Sequence, residues 1–176
     1  IRLHVERGIC RLLRSRVEQY VVQTKSMHDD LIKWHGSNPT THIFPIMHFP
    51  NANYSKYNSV ENKIYDLVYV ADGATHKNHQ NLILALVLLS QVSVFPSLCL
   101  TIPYGNERLV HYIKKSIDKY SIKVINIGEL PHEKIWGLYQ KSRALIFPST
   151  IESFVLPLIK ASKIGLPIIA AEKDYV

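Results

Sequence analysis

Residues 71–79 hold groups that suit the binding of a diphosphate. Gly73 and Lys77 lie there, just ahead of a predicted helix, and a helix N-terminus presents unpaired N–H groups and a partial positive charge. Gly73 permits close approach of the backbone to a ligand, and Lys77 adds a point charge. The alternative is a solvated loop with an ordinary surface lysine, which the spacing alone slightly favours.

Residues 148–157 form a second segment with hydrogen-bonding groups next to a predicted helix. Glu152 can accept hydrogen bonds from a polyol, and Pro157 suits the first helical position because it needs no N–H there. The backbone amides that precede or open this helix would be free to donate to sugar hydroxyls or phosphate oxygens. They belong to Ser153, Phe154, Val155 and Leu156. The alternative is that Glu152 only stabilises the helix dipole.

Two further groups carry weaker signals. The backbone around Leu130, in the loop Gly128–Pro131, is placed to face an aromatic base, although a plain turn is the favoured alternative. His76 and His79 have a spacing that suits one metal ion, but no third ligand is near in sequence. The sequence therefore predicts no metal site.

Regular secondary structure begins at residue 63, where short apolar runs alternate with helical patterns. Strands are predicted at 64–70, within 92–102, and at 122–127, 144–147 and 166–170. Helices are predicted at 78–89 with Asn78 as a cap, and at 106–119, 131–141 and 157–163. This alternation predicts an α/β fold, a Rossmann-like parallel sheet with helices on both faces. Ligands of such sheets bind at the carboxyl ends of the strands, where both loops would lie.

The first fifty residues have a different pattern. A basic amphipathic helix is followed by a strand at 20–22, a helix at 27–34 capped by Ser26 and stopped by Gly36, and an extended segment at 43–46. Residues 51–61 are polar and poor in aliphatic side chains, and they are predicted to be a linker. The chain opens directly into an arginine-rich helical pattern, which predicts a fragment of a longer protein.

Composition limits the function classes. The 176 residues are 47% hydrophobic and 20% charged, which excludes global disorder. The longest apolar run, Leu82–Leu89, is too short to cross a bilayer. The net charge of +7 implies an acidic partner, namely nucleic acid, an anionic membrane surface or a phosphorylated small molecule. No nucleic-acid-binding motif is present, so nucleic acid is not expected. Two distant cysteines indicate a reducing, cytoplasmic compartment.

An ordered series of motifs across residues 62–176 resembles the C-terminal domain of GT-B glycosyltransferases, specifically glycosyltransferase family 4. The motifs are His76 to Leu82 with Ala85, Ile127 to Pro131, Leu138-Tyr139, Phe147 to Pro157, Ala161, and Gly165 to Ala170. Residues 21–45 look like the last N-domain strand, helix and interdomain linker of that family. The resemblance implies that residues 1–50 are the tail of an N-terminal acceptor domain with its linker. Residues 62–176 would be a nucleotide-sugar-binding domain truncated at its C-terminus.

The resemblance also implies an activity. A sugar would be transferred from a nucleoside diphosphate sugar to a glycan or lipid-linked acceptor in bacterial polysaccharide biosynthesis. The transfer would retain the anomeric configuration and would need no metal or other cofactor. Lys77 would neutralise the leaving diphosphate, and Glu152 matches the first glutamate of the E-x7-E motif near the donor sugar. The residues expected to bind the donor are Gly73, Lys77, Leu130, Ser153, Phe154, Val155, Leu156 and Lys160. The chain alone is expected to be inactive, and the full enzyme is expected in the cytoplasm, with peripheral association at the inner face of the membrane.

Three positions depart from the family pattern. Lys160 replaces the second glutamate of E-x7-E, and a lysine cannot accept hydrogen bonds from ribose hydroxyls, although it can meet a phosphate. Val155 replaces a glycine and would be strained if that position required positive φ. Asp72 falls near the family's arginine. Lys160 and Val155 favour an alternative, a degenerate non-catalytic GT-B module or partner subunit. An unrelated Rossmann-like or nucleic-acid-binding domain is supported only by the basic charge.

Overall fold

The computed structural model describes residues 2–44, 62–152 and 155–173. Two units contain them, one within residues 2–44 and the other within residues 62–173. The predicted linker at 51–61 lies outside the described residues, as do residues 45 and 46 of the predicted extended segment at 43–46.

The first unit contains two helices and a small parallel sheet. Its elements are α1 (Arg2–Leu13), followed by a 3-10 turn (Arg14–Arg16), β1 (Tyr20–Val22), α2 (Lys25–His35) and β2 (Thr41–Ile43). β1 and β2 pair in parallel, with Tyr20 opposite Thr41. The helices and the first strand appear where the sequence predicts them.

The N-terminal cap of α2 differs from the prediction. Thr24, and not Ser26, precedes the helix, and its hydroxyl accepts a hydrogen bond from the Met27 N–H at 3.2 Å. The Ser26 hydroxyl instead lies 3.0 Å from that of Thr24. Gly36 ends the helix with φ of 76°, a left-handed conformation that glycine adopts without steric cost.

The second unit is built on a five-stranded parallel sheet. Its strands are β3 (Tyr65–Tyr69), β4 (Leu98–Leu100), β5 (Val124–Asn126), β6 (Ser142–Phe147) and β7 (Ile168–Ala170). Its helices are α3 (His79–Gln91), α4 (Glu107–Tyr120), α5 (Ile135–Gln140) and α6 (Leu156–Lys163). The strand order is β5-β4-β3-β6-β7, and right-handed crossovers place α3 and α4 on one face and α5 and α6 on the other. The predicted Rossmann-like fold is confirmed.

The core lies along the central strands. Val68, Leu98, Cys99, Leu100 and Leu145 have no solvent exposure, because helices cover both faces of the sheet. Continuous apolar runs in the sequence therefore predict buried parallel strands correctly.

Several elements are shorter than predicted, among them the strands predicted at 122–127 and 166–170, which are confined to Val124–Asn126 and Ile168–Ala170. The strand predicted within 92–102 is confined to Leu98–Leu100. Pro96 has no N–H to donate to a neighbouring strand, and the Ser97 hydroxyl donates to the Asp66 carboxylate at 2.8 Å. The helix predicted at 131–141 divides into a 3-10 turn, His132–Lys134, and α5.

Candidate functional site

The loops that follow β3 and β6 are neighbours, because these strands are adjacent in the sheet. Tyr69, at the end of β3, is fully buried, and its ring meets that of Phe147, at the end of β6, edge to face at 5.9 Å. The Tyr69 hydroxyl donates a hydrogen bond to the Lys77 carbonyl at 2.8 Å. The core of the sheet therefore sets the position of the Lys77 backbone.

Hydrogen bonds join the two loops directly. The carbonyl of His76 accepts from the Thr150 N–H at 2.8 Å and from the hydroxyls of Ser149 and Thr150, each at 3.1 Å. The Asn78 side-chain amide donates to the Pro148 carbonyl at 3.0 Å. These bonds hold the 3-10 turn Thr75–Lys77 against the second loop.

Asn78 does not cap α3 in the predicted way. It precedes the helix, but its φ is 61° and its side chain makes no capping hydrogen bond. The physical reason is that its amide nitrogen donates to the Pro148 carbonyl, while its Oδ1 accepts from the side-chain amide of Asn81 at 2.8 Å instead of from a backbone N–H of the helix.

Lys77 and Glu152 form an ion pair at the junction of the two loops. The Lys77 ammonium lies 2.7 and 3.0 Å from the two carboxylate oxygens, and the side chains are 17% and 8% exposed. The structure thus brings together the two predicted catalytic residues, which are 75 positions apart in sequence. Their catalytic roles stay predictions.

Gly73 is required by packing within the protein. A Cβ at this position would lie 2.1 Å from Oδ1 of Asn106, the residue that precedes α4. The Asn106 amide is held by the Pro103 carbonyl at 3.0 Å, which keeps that side chain in place. Asn106, a residue that the sequence reasoning missed, therefore accounts for the glycine by packing, and the close approach of a ligand to Gly73 stays a prediction.

His79 is a buried residue at the start of α3. Its Nε2–H donates to the Asp72 carbonyl at 2.6 Å, because a carbonyl oxygen can only accept. Its ring packs on that of Tyr69 at 4.9 Å between centroids, and Nδ1 has no hydrogen-bond partner among the described residues. Burial lowers the pKa of His79, against a smaller opposing effect of the Asp72 carbonyl. The folded protein therefore keeps this ring neutral down to a lower pH than the unfolded chain does.

We expect this neutral histidine to reduce stability in acid. Below pH 6.5 the histidine takes up a proton in the unfolded protein, but in the folded protein its lowered pKa keeps it unprotonated. The free energy of unfolding therefore falls with decreasing pH until the pH reaches the lowered pKa of the folded protein. Urea denaturation at pH 7.5, 6.5 and 5.5 measures this loss. His79→Gln keeps a donor for the Asp72 carbonyl without titrating, so its stability should fall less. Equal losses in the two proteins would contradict the expectation.

A cavity of about 570 Å³ opens at the carboxyl ends of β3 and β4. This volume falls in the usual range of small-molecule sites. The predicted donor-binding residues Leu130, Leu156 and Lys160 line it, together with Asp72 and Glu129. Gly73 lines a separate cavity of about 310 Å³. Within the described parts of the chain, neither Lys77 nor Glu152 lines the larger of these two.

The other predicted donor-binding residues lie on or just before α6. Val155 precedes α6 with φ of −106°, so it is not in the left-handed conformation and the expected strain is absent. Leu156 is the first residue of α6, with Pro157 next to it. Ser153 and Phe154 lie outside the described residues.

Lys160 is buried at the wall of the larger cavity. Its side chain contacts Nε2 of His132 and lies over the ring of Trp136, with Nζ 5.6 Å from the centroid. Burial lowers the pKa of Lys160. The sequence reasoning missed His132, and a separation of 28 positions leaves no local signal for such a contact.

Two searches within the described residues are negative. No group of three or more His, Cys, Asp and Glu side chains there is arranged to hold a metal ion. In the same part of the chain, no helix is both long and apolar enough to cross a membrane.

Comparison with known proteins gives one family match. The family model described as glycosyl transferases group 1 matches residues 52–175. Among curated proteins, none matches the chain.

Solved structures show a similar fold. The pneumococcal O-GlcNAc transferase GtfA, crystallised with UDP and GlcNAc, is 18% identical with a TM-score of 0.66, over 95% of this chain and 32% of its own. HepE from Anabaena, crystallised with UDP and glucose, is 17% identical with a TM-score of 0.71, over 96% and 48%. Sucrose-phosphate synthase from Thermosynechococcus elongatus is 21% identical with a TM-score of 0.68, over 97% and 44%. The chain therefore spans between 32% and 48% of the length of these proteins.

Proposed function

Since this chain belongs to the glycosyl transferases group 1 family, we propose that it is the donor-binding part of an enzyme that uses a nucleoside diphosphate sugar. The observation that carries the proposal is the meeting of Lys77 and Glu152 at the carboxyl edge of the sheet. A cavity of about 570 Å³ lies at the same edge. The structures of GtfA and HepE with UDP support a nucleotide as the ligand.

The proposed chemistry follows from the charges of the pair. When the bond from the anomeric carbon to the diphosphate breaks, negative charge grows on the leaving oxygens, and Lys77 is placed to stabilise it. A positioned lysine supplies this charge in place of a metal ion, which supports metal-independent transfer. Glu152 holds the ammonium and keeps further lone pairs for hydroxyls of the donor sugar. Retention of configuration and membership of glycosyltransferase family 4 belong to the same proposal.

The remaining elements of the proposal concern the whole protein. We propose that the acceptor is a glycan or a lipid-linked sugar in bacterial polysaccharide biosynthesis on the cytoplasmic side of the membrane. The chain alone should be inactive, because it spans less than half of the length of the solved relatives given above.

A non-catalytic nucleotide-binding module is the second candidate. It is favoured by the ion pair itself, in which Lys77 and Glu152 satisfy each other without a ligand. Transfer or hydrolysis of a donor by the intact protein would exclude it.

We also propose peripheral association with an anionic membrane through the face formed by α3 and α4. The outer side of α3 and the turn after it expose Leu84, Leu88 and Val92, at 49%, 55% and 68%. The adjacent helix α4 exposes Lys114, Lys115 and Lys119. Such a face suits the surface of an anionic membrane, because the apolar side chains can insert into the lipid and the lysines can contact the anionic headgroups.

Sedimentation with vesicles tests this association. The fraction of full-length protein that sediments with vesicles containing 30% phosphatidylserine should be on the order of ten times the fraction that sediments with neutral vesicles. Binding should weaken in Lys114→Gln/Lys115→Gln and in Leu88→Gln. Equal binding to both kinds of vesicle would contradict the electrostatic part of the proposal.

Calorimetric titration with UDP, GDP, ADP and CMP tests donor binding. One diphosphate should bind saturably to the full-length protein, and Lys77→Ala and Glu152→Ala should weaken it. Lys141→Ala removes an exposed lysine at the opposite, amino edge of the sheet and serves as the matched control. Absence of binding by all four nucleotides would overturn the proposed function.

A further inference from the structure

Asn78 has an unusual backbone conformation directly after Lys77. Its φ is 61°, in the left-handed region that few residues other than glycine occupy. Among the described residues that are not glycine, Ser93 and Ser121 also have positive φ. Those two lie in the turns after α3 and α4, where helices commonly end in this conformation. Asn78 lies instead between a 3-10 turn and the start of a helix.

The side chain of Asn78 is bonded through both of its polar atoms. Its amide nitrogen donates to the Pro148 carbonyl at 3.0 Å, and its Oδ1 accepts from the Asn81 side-chain amide at 2.8 Å. The first bond crosses to the loop after β6, whereas the second stays within the first turn of α3. Asn78 therefore links the backbone next to Lys77 to the loop that carries Glu152.

The backbone of Lys77 is also held at its other neighbours. The carbonyl of His76, the residue before it, accepts three hydrogen bonds from the loop after β6. The carbonyl of Lys77 itself accepts from the Tyr69 hydroxyl. The link through Asn78 completes this set on the C-terminal side of the lysine and fixes the separation of the two loops there.

This separation matters for the position of the Lys77 ammonium. A lysine side chain is a flexible four-carbon stem, so its backbone alone does not place the charge. The ammonium is held by the two oxygens of Glu152, at 2.7 and 3.0 Å, and the two residues lie on different loops. The distance between the loops therefore determines where the ammonium lies. A displacement of about 1 Å of a positioned group can cost about 100-fold in rate.

We propose that Asn78 is a positioning residue for Lys77. It holds the backbone beside the lysine against the loop after β6, so that the ammonium stays where the leaving diphosphate gains charge. The inference rests on the proposed function, because it takes Lys77 as the group that stabilises this charge. Asparagine suits the position because its short side chain tolerates the left-handed conformation and still carries an amide donor.

Hydrolysis of UDP-glucose by the full-length protein tests the role of Asn78. Asn78→Gly keeps the left-handed backbone without steric cost and removes both side-chain bonds. The kcat should fall about 10- to 100-fold, while KM should change by less than about threefold, because Lys77 meets more charge in the transition state than in the bound donor. Asn81→Ala breaks only the bond within α3 and should keep wild-type kcat. Ser121→Gly makes the same replacement in the turn after α4 and is the matched control.

A double-mutant cycle with Lys77 separates positioning from a merely structural role. Lys77→Met leaves no ammonium to position, so the addition of Asn78→Gly should lower kcat by less than about twofold in that background. A residue that only stabilised the fold would lower kcat by the same factor in both backgrounds. That result, or wild-type kcat in Asn78→Gly, would overturn the inference.

Titration of the wild-type protein with UDP, GDP and ADP distinguishes this failure from failure of the proposed function. If wild type binds UDP and hydrolyses UDP-glucose, but Asn78→Gly has wild-type kcat, only the inference about Asn78 fails. If wild type binds UDP without any hydrolysis, there is no charge in a transition state for Lys77 to meet, and the inference fails in favour of a non-catalytic module. If wild type binds none of the three nucleotides, the proposed function fails and the inference fails with it.

Discussion

Lys77→Met in the full-length enzyme is expected to lower kcat/KM by about 10²- to 10³-fold, the cost of removing one preorganised group that stabilises charge in a transition state. The reason is that, in the proposed reaction, the leaving diphosphate gains negative charge next to the Lys77 ammonium. Initial rates of sugar transfer or of donor hydrolysis measure the effect. Lys141→Met removes an exposed lysine at the opposite, amino edge of the sheet and should keep wild-type rates.

A stability measurement separates this loss from unfolding. Lys77→Met leaves the Glu152 carboxylate buried without its cation, which should cost about 3–5 kcal/mol in the free energy of unfolding. The double variant Lys77→Met/Glu152→Gln removes both charges and should recover much of that stability, but no activity. Activity that returns together with stability would show that Lys77 acts only by holding the two loops together.

Phe147→Ala is expected to lower the free energy of unfolding by about 3–5 kcal/mol, the usual cost of such a truncation in a core. Phe147 is 1% exposed, ends β6 and packs edge to face on Tyr69. Its removal leaves a cavity beneath the loop that carries Glu152, so donor affinity should fall as well. Urea denaturation and titration with UDP measure the two effects.

The control for this change is Phe95→Ala. Phe95 is 39% exposed in the turn after α3, so its truncation should change stability by about 0.5 kcal/mol or less. Phe147→Leu keeps most of the volume and should cost under about 1.5 kcal/mol. Similar losses for Phe147→Ala and Phe95→Ala would mean that β6 does not anchor the site loop.

Local patterns were enough for the elements and the fold class. The apolar run in 64–70 and the helical spacing in 106–119 place β3 and α4 within a few residues, because periodicity and turn residues act over short distances. Details that depend on a neighbour were missed. Thr24, and not Ser26, caps α2, and the side chain of Asn78 bonds to the Pro148 carbonyl and to the side chain of Asn81 instead of to a backbone N–H of α3.

The sequence by itself determined a parallel α/β sheet with its reactive loops at one edge, because alternating strands and helices leave few other topologies. Only the tertiary structure decided which side chains meet there. Adjacent β3 and β6 bring Lys77 to Glu152, and packing of the α5 region against α6 brings His132 to Lys160. Such contacts depend on strand order and on burial, which couple residues distant in the chain and leave no periodic signal in it.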